Sequence, residues 1–557
     1  MPIIDAMKSI VFLYAGFSTP FAFDSVFSSR SAFGRSAVWA SGIKDSLGIY
    51  VAVTPLTESN VKNQLNELGL KANLIKKDGW NVSELIQEME KASSQAGAST
   101  VIYSFADRPF LDNALTTSLL EDHEKYSAEY TFADGYPEGF APEVIHSGTL
   151  RILSNLISGN AALEGGKKVC PGSIFSVIKT DINSFEIETV LSQKDYRMLR
   201  LDFSCSSLAG KTACTRLYEL SLDNKVPFAA ESLSEFAEKT PSIQRTVPAY
   251  YNIQLCKNYT LSSVYNPYFK LPALKSKVSL SIKPQSVMSL EQFKAMVSQI
   301  ASFSGSAVIG LSAWCDPVVI PNLSDYVKAV LEHPSLSVLI ESDGLYLTEA
   351  VASSVASVLS QSPARTNGMD AVTWIISVDA FTSATYAKLH EEYCTDADEV
   401  KSSGDGSYCF DRARGAVSIL QGLFPGAVYP QFLRMKANEN ELEPFYRYYR
   451  DKSSPSGGKL IIQKYDHFCK MLPDEKSADL SPLLRNPCWH IKRDMTVLND
   501  GSVPFCRECL DQVIMGNVFR DGIKAVWEKM APAAEKEMSG IHEKRCEDCD
   551  EYYTFNF

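Results

Sequence analysis

Hydrophobic positions in the first 240 residues switch between two periods. Short runs of β-branched and aromatic residues at 10–14, 49–53 and 101–105 predict buried strands. Between the last two, Val82, Leu85, Ile86 and Met89 fall at i, i+3, i+4 and i+7, which is one face of a helix. This alternation predicts an α/β domain over residues 1–240. A polar, turn-forming stretch at 239–248 closes it. The same pattern then restarts, with Phe293, Met296, Val297 and Ile300 on a helix face, strands at 307–311, 336–340 and 372–377, and a helix at 348–359. Repeated βα units predict a parallel barrel, or part of one, over 248–470. From residue 474 the chain turns polar and irregular. Runs at 495–498 and 502–505 around Asn499, Asp500 and Gly501 predict a hairpin. Ile523, Val526, Trp527 and Met530 predict a last helix, with Asp521 as N-cap and Pro532 near its end, inside a small domain at 480–557. The expected fold class is α/β throughout.

Composition narrows the partners. The 557 residues, 45% apolar and 22% charged, can build two to four ordinary cores. A formal charge of −12 with no basic cluster argues against nucleic acid or an anionic membrane as partner and leaves a protein, peptide or small molecule. The longest uncharged stretch, 295–315, carries five serines and two glycines, and reads as a helix running into a strand rather than a membrane span. The apolar run after Lys8 is accounted for by a first strand better than by a secretory signal.

Thirteen cysteines, an odd number, fit a reducing, cytoplasmic setting better than a disulfide framework. Five of them crowd the end of the chain: Cys488, Cys506, Cys509, Cys546 and Cys549. A Cys-x-x-Cys pair puts two soft thiolates on one ion or cluster, so this is a candidate metal site. Zinc is one occupant, since two such pairs supply four sulfurs. The 36 residues between Cys509 and Cys546 exceed usual ribbon spacing, and zinc leaves Cys488 over, so an iron–sulfur centre is the first expectation. His490 and His542 are expected beside the site rather than on the metal, and the eight earlier cysteines as small core residues.

Asp107 lies just past an apolar strand, where open α/β sheets bind ligands. Aspartates there also open turns and, like Asp112, cap helices. Together with Thr131–Gly139, the Ala106-Asp107-x-Pro109-Phe arrangement resembles the nucleotidyltransferase fold, which implies that Asp107 holds a divalent ion such as Mg at a nucleotide site. The opening loop lacks the family's basic, glycine-rich phosphate grip: Phe17, Phe21 and Phe23 stand there, with Arg30 and Arg35 nearby.

The central segment resembles the radical SAM barrel, with residues 251–255 as first strand, then Trp314-Cys315-Asp-Pro317, Glu341-Ser-Asp-Gly344 and Ser377-Val-Asp-Ala380 in the family's order. Its three cluster cysteines are missing; Tyr259, Ser263 and Asn266 occupy those positions, which argues against radical chemistry. The C-terminal run, Cys488-x12-Gly501-x4-Cys506, Gly516-Asn-Val518, Trp527 and Cys546-x-x-Cys549, resembles the SPASM domain. That resemblance implies one 4Fe–4S cluster on Cys488, Cys506, Cys546 and Cys549, with Cys509 a spare or exchangeable ligand. The whole arrangement resembles the spiro-SPASM family. It implies an iron–sulfur protein with a binding or electron-transfer role on a barrel that has lost its S-adenosylmethionine cluster. The alternative is a metal-dependent nucleotidyl or sugar-nucleotide transferase working through Asp107.

Overall fold

A computed structural model of the chain describes residues 8–17, 20–158, 168–404, 407–508, 510 and 513–554. They form two compact units, residues 1–246 and 247–557. The first holds a seven-stranded sheet in the order Asn73–Lys76, Ser46–Val53, Ser9–Tyr14, Thr100–Phe105, Glu143–His146, Tyr130–Asp134, Ile187–Leu191. Only the pairings of Glu143–His146 are antiparallel. Ser9–Tyr14 is fully buried at the sheet's middle because both its faces are covered. Ile10, Phe12 and Tyr14 point into one apolar cluster and Val11, Leu13 and Ala15 into the opposite one, the two-residue alternation of a strand. The helix Val82–Ala96 buries Val82, Leu85, Ile86 and Met89, begins in a capping box of Asn81 and Glu84, and ends at Gly97 with φ 68°.

The second unit carries a curled half-barrel of seven strands, ordered Ile461–Lys464, Val428–Arg434, Val372–Ser377, Leu336–Ser342, Ala307–Gly310, Tyr250–Ile253, Asp494–Val497. All its pairings are parallel. Helices including Leu290–Ser304 and Leu323–Leu331 cover the convex face over a core of Val338, Ile340, Trp374 and Ile376. The intervening residues Tyr250, Leu339 and Ile375, with Val308, Tyr429 and Ile461, form a separate apolar floor on the other face. Two residues further along the same strands, on that face, come Asn252, Glu341, Ser377, Gln431 and Gln463. Polarity thus changes from apolar to polar within the concave face as the strands reach their C-terminal ends. Gly310 makes room for this layer, since a Cβ there would lie 2.4 Å from the Tyr250 hydroxyl.

Three local expectations are corrected. The strand Asp494–Val497 does not form a hairpin with 502–505; it pairs with Tyr250–Ile253 at the edge of the half-barrel, while Ser502–Pro504 pairs with Ile514–Asn517. There Asp494–Val497 covers the edge of Tyr250–Ile253, which would otherwise present unpaired backbone groups. Asp521 closes the short turn Val518–Asp521, and Gly522, at φ 82°, takes the N-cap position of Ile523–Met538. Pro532 lies inside that helix, whose buried face continues through Ala534, Glu537 and Met538, so packing holds a turn that proline weakens.

Candidate metal centre

Five thiols line one cleft of the second unit: Cys469, Cys488, Cys506, Cys546 and Cys549. All are partly buried. Cys488 enters just before the turn Trp489–Arg493, and Cys506 follows the strand Ser502–Pro504. Cys546 and Cys549 come from the turn at Lys544–Glu547. Arg485 fixes that turn by donating to the carbonyls of Cys546 at 2.6 Å and Cys549 at 3.3 Å. Cys509 lies outside the described residues.

Cys469 was expected among the core cysteines and is corrected: it sits in this cleft, beside Cys549. Six of the other early cysteines are buried as expected, and Cys170 is exposed. Salt bridges explain the placement of Cys469. Lys470 meets Asp548 at 2.6 Å, Lys476 meets Asp550 at 2.7 Å, and Lys464 binds Asp550 at 3.0 Å and also Glu551. These contacts clamp 464–476 onto the residues around Cys549. No local spacing announces them, which is why the sequence hid this thiol. Asp466, His467 and Asp550 also bring ligand atoms within 4.8 Å of one another, but Asp550 already answers to two lysines.

The cleft admits thiolates only in company with positive charge. Burial pushes the Cys488 thiol up to about 12, with Cys549 adding to the shift, so ionising it needs a compensating positive charge. Arg485, Arg507 and Arg545 also line the cleft, and the Glu551 N–H donates to the Cys549 sulfur at 3.3 Å. The two histidines are held by carboxylates: His490 Nδ1 lies 2.6 Å from Asp494 and His542 Nδ1 2.5 Å from Glu537.

A second cavity opens at the C-terminal ends of the half-barrel strands. Tyr259, Ser263 and Asn266 line it, together with Glu341, Asp466 and Arg507. The three positions expected from the sequence to replace cluster thiols thus present a phenol, a hydroxyl and an amide on its lining. Arg507 lines both cavities, while Asp466 lines the one and its neighbour Glu508 the other. Burial, with Glu508 beside it, raises the Asp466 carboxyl above its ordinary value.

In the first unit Asp107 is 2% exposed and its Oδ1 has no partner among the described residues. Burial lifts its carboxyl to about 7, against the pull of Arg108 and with a push from Asp202. Asp202, not foreseen from sequence, arrives because Cys205 N–H donates to the Asp107 carbonyl at 2.9 Å and Phe203 N–H to that of Glu138 at 2.9 Å. Gly139, at φ 106°, permits this approach: a Cβ there would lie 2.5 Å from the Phe203 carbonyl oxygen. Asp112 caps the helix Asn113–Lys125, as expected. Arg35 is spent on packing; its Nε donates to the Pro109 carbonyl at 2.7 Å and its guanidinium lies over four aromatic rings, Tyr218 the nearest at 5.1 Å.

Comparison with known proteins matches residues 488–550 to SPASM, described as an iron-sulfur cluster-binding domain. An uncharacterized protein of Treponema pallidum is 38% identical over 389 residues, 70% of this chain and 99% of that one. A second uncharacterized Treponema pallidum protein is 33% identical over 103 residues, 18% of this chain and 44% of that one. Among solved structures, a cytidylyltransferase from Leptospira borgpetersenii shares 14% identity at a TM-score of 0.35, over 42% of this chain and 96% of its own. BtrN in complex with AdoMet and 2-DOIA shares 13% at 0.32, over 55% and 93%. No helix among the described residues is long and apolar enough to cross a membrane.

Proposed function

Because the chain belongs to one family with the Treponema pallidum protein that it spans almost entirely, and carries a SPASM domain, we propose that it holds a single 4Fe–4S cluster in a binding or electron-transfer role. Cys488, Cys506, Cys546 and Cys549 hold the cluster, with Cys469 a fifth thiol against Cys549. The observation that carries this reading is the convergence of thiols from four chain segments on one cleft. The match to SPASM, described as an iron-sulfur cluster-binding domain, supports a cluster over zinc.

A bound cluster supplies one-electron chemistry. The chain's own residues set its surroundings: Arg485, Arg507 and Arg545 stand among Glu508, Glu537 and Glu551 on the lining, the Glu551 N–H donates to a ligand sulfur, and Tyr552 covers the cleft. Tyr259, Ser263 and Asn266 offer no thiol to a second cluster, so the reading excludes radical generation in the barrel. Anaerobic reconstitution with iron and sulfide is the test. Uptake of about four irons per chain with broad visible absorption is expected; a colourless protein holding stoichiometric zinc and taking up no iron overturns it.

A second reading rests on the orphaned Oδ1 of Asp107 beside Asp202. A buried carboxylate with an unpartnered oxygen beside a more exposed one invites a divalent ion, and such a site would serve a metal-dependent nucleotidyl or sugar-nucleotide transferase. Magnesium-dependent binding of a nucleoside triphosphate that Asp107→Ala abolishes is the expected result. Absence of binding across the four nucleotides ends this reading.

A further inference from the structure

The mouth of the half-barrel holds two side chains of opposite charge that do not meet. Glu341 sits on the concave face, and its backbone N–H is held by the Ser312 hydroxyl at 2.7 Å. Its carboxylate has no hydrogen bond or ion pair among the described residues. Arg507 lines the same cavity, with its guanidinium 5.8 Å above the Trp314 ring. Its one ion pair among the described residues is to Glu508 at 3.7 Å, beyond hydrogen-bonding distance, so its five N–H donors are largely unspent.

A third group points the same way. His390 is 1% exposed and lines the cavity; its Nδ1 lies 3.3 Å from the Ser262 carbonyl and its Nε2 has no partner. Burial holds this imidazole neutral, with its pKa at about 3, so donation from Nδ1 leaves Nε2 a bare acceptor. Both side chains are only partly screened from water, Arg507 with 32% of its side chain exposed, and a ligand that meets them gains charge-assisted hydrogen bonds. Asp316, Asp343 and Asp466 also line the cavity but already accept hydrogen bonds from the Ser342 hydroxyl, the Thr260 hydroxyl and the Phe468 N–H, which leaves Glu341 as the lining carboxylate without one among the described residues. A purely anionic ligand would meet Arg507 but be repelled by these carboxylates, and a purely cationic one would leave Arg507 unanswered. Only a compact molecule carrying both charges satisfies both.

We propose that this cavity binds a free α-amino acid, its carboxylate on the Arg507 guanidinium and its ammonium on the Glu341 carboxylate, with Trp314 and Phe468 as apolar wall for its side chain. This goes beyond the cluster assignment and does not depend on it. The test is calorimetric titration of the full chain, purified anaerobically, with each of the twenty L-amino acids. At least one is expected to bind, and its affinity should fall tenfold or more in Glu341→Gln and in Arg507→Gln. The analogues of that amino acid lacking either the carboxylate or the amine should lose as much. Glu341→Gln is isosteric and distant in sequence from the thiols, so it decides the matter even where Arg507→Gln disturbs the neighbouring cleft. Failure of all twenty to bind, or binding unchanged in a folded Glu341→Gln protein, overturns the proposal.

Discussion

Replacing Asp107 by asparagine keeps the side chain's shape and removes its charge. The carboxyl rises from its ordinary value near 3.8 to about 7, first through burial and then through Asp202. A carboxyl raised in the folded state keeps its proton after the unfolded chain has lost its own. The resulting penalty is absent below pH 4 and grows as pH rises toward 7. At about 1.4 kcal/mol per pH unit the full penalty is on the order of 4 kcal/mol, and about 2.5 kcal/mol of it falls between pH 5 and pH 8. Peptide-resolved hydrogen exchange over Thr100–Phe105 reads this locally, which suits a chain of two units better than one global melt. The wild type should lose about 2.5 kcal/mol of protection from pH 5 to pH 8 relative to Asp107→Asn. Millimolar magnesium at pH 8 should restore it in the wild type alone. Parallel pH profiles for the two proteins would refute the burial reasoning, and a magnesium effect shared by both would refute the ion site.

Three other perturbations follow from the same geometry. Cys488→Ser should retain less than half the iron of the wild type after anaerobic reconstitution, read by iron content and visible absorbance, whereas Cys170→Ser, at an exposed site, should not change it. Lys464→Met leaves two largely buried carboxylates, Asp550 and Glu551, short of a partner; it should cost about 3–5 kcal/mol, measured by denaturant titration, and loosen the segment that carries Cys549. Gly139→Ala forces a Cβ against the Phe203 carbonyl at a φ of 106° and should destabilise the first unit by about 1–3 kcal/mol, seen as faster exchange around Asp202.

The sequence exposed those features whose cause is local. Strand and helix positions followed from periodicity because each element's own residues decide which face is apolar: Val82, Leu85, Ile86 and Met89 on one helix, Phe293, Met296, Val297 and Ile300 on another, are all buried. The crowding of Cys488, Cys506, Cys546 and Cys549 was legible for the same reason. Cys469 was not, because lysines at 464, 470 and 476 bring it in by meeting carboxylates more than seventy residues later. Arg507 hid inside the Cys506–Cys509 pair, where attention falls on sulfur. The strand at 494–497 was found but given the wrong partner, since pairing depends on which sheet edge lies open in space.

That strand has a consequence for how the protein can be taken apart. Asp494–Val497 supplies the outermost ladder of the half-barrel while the turn just before it follows Cys488. Cutting the chain ahead of Cys488 would therefore strip the barrel's first strand of a neighbour and leave Tyr250–Ile253 as a raw hydrogen-bonding edge, a surface that recruits other chains. The thiol segment cannot be shed as an optional appendage, and a barrel expressed without it should clump rather than survive as a smaller protein.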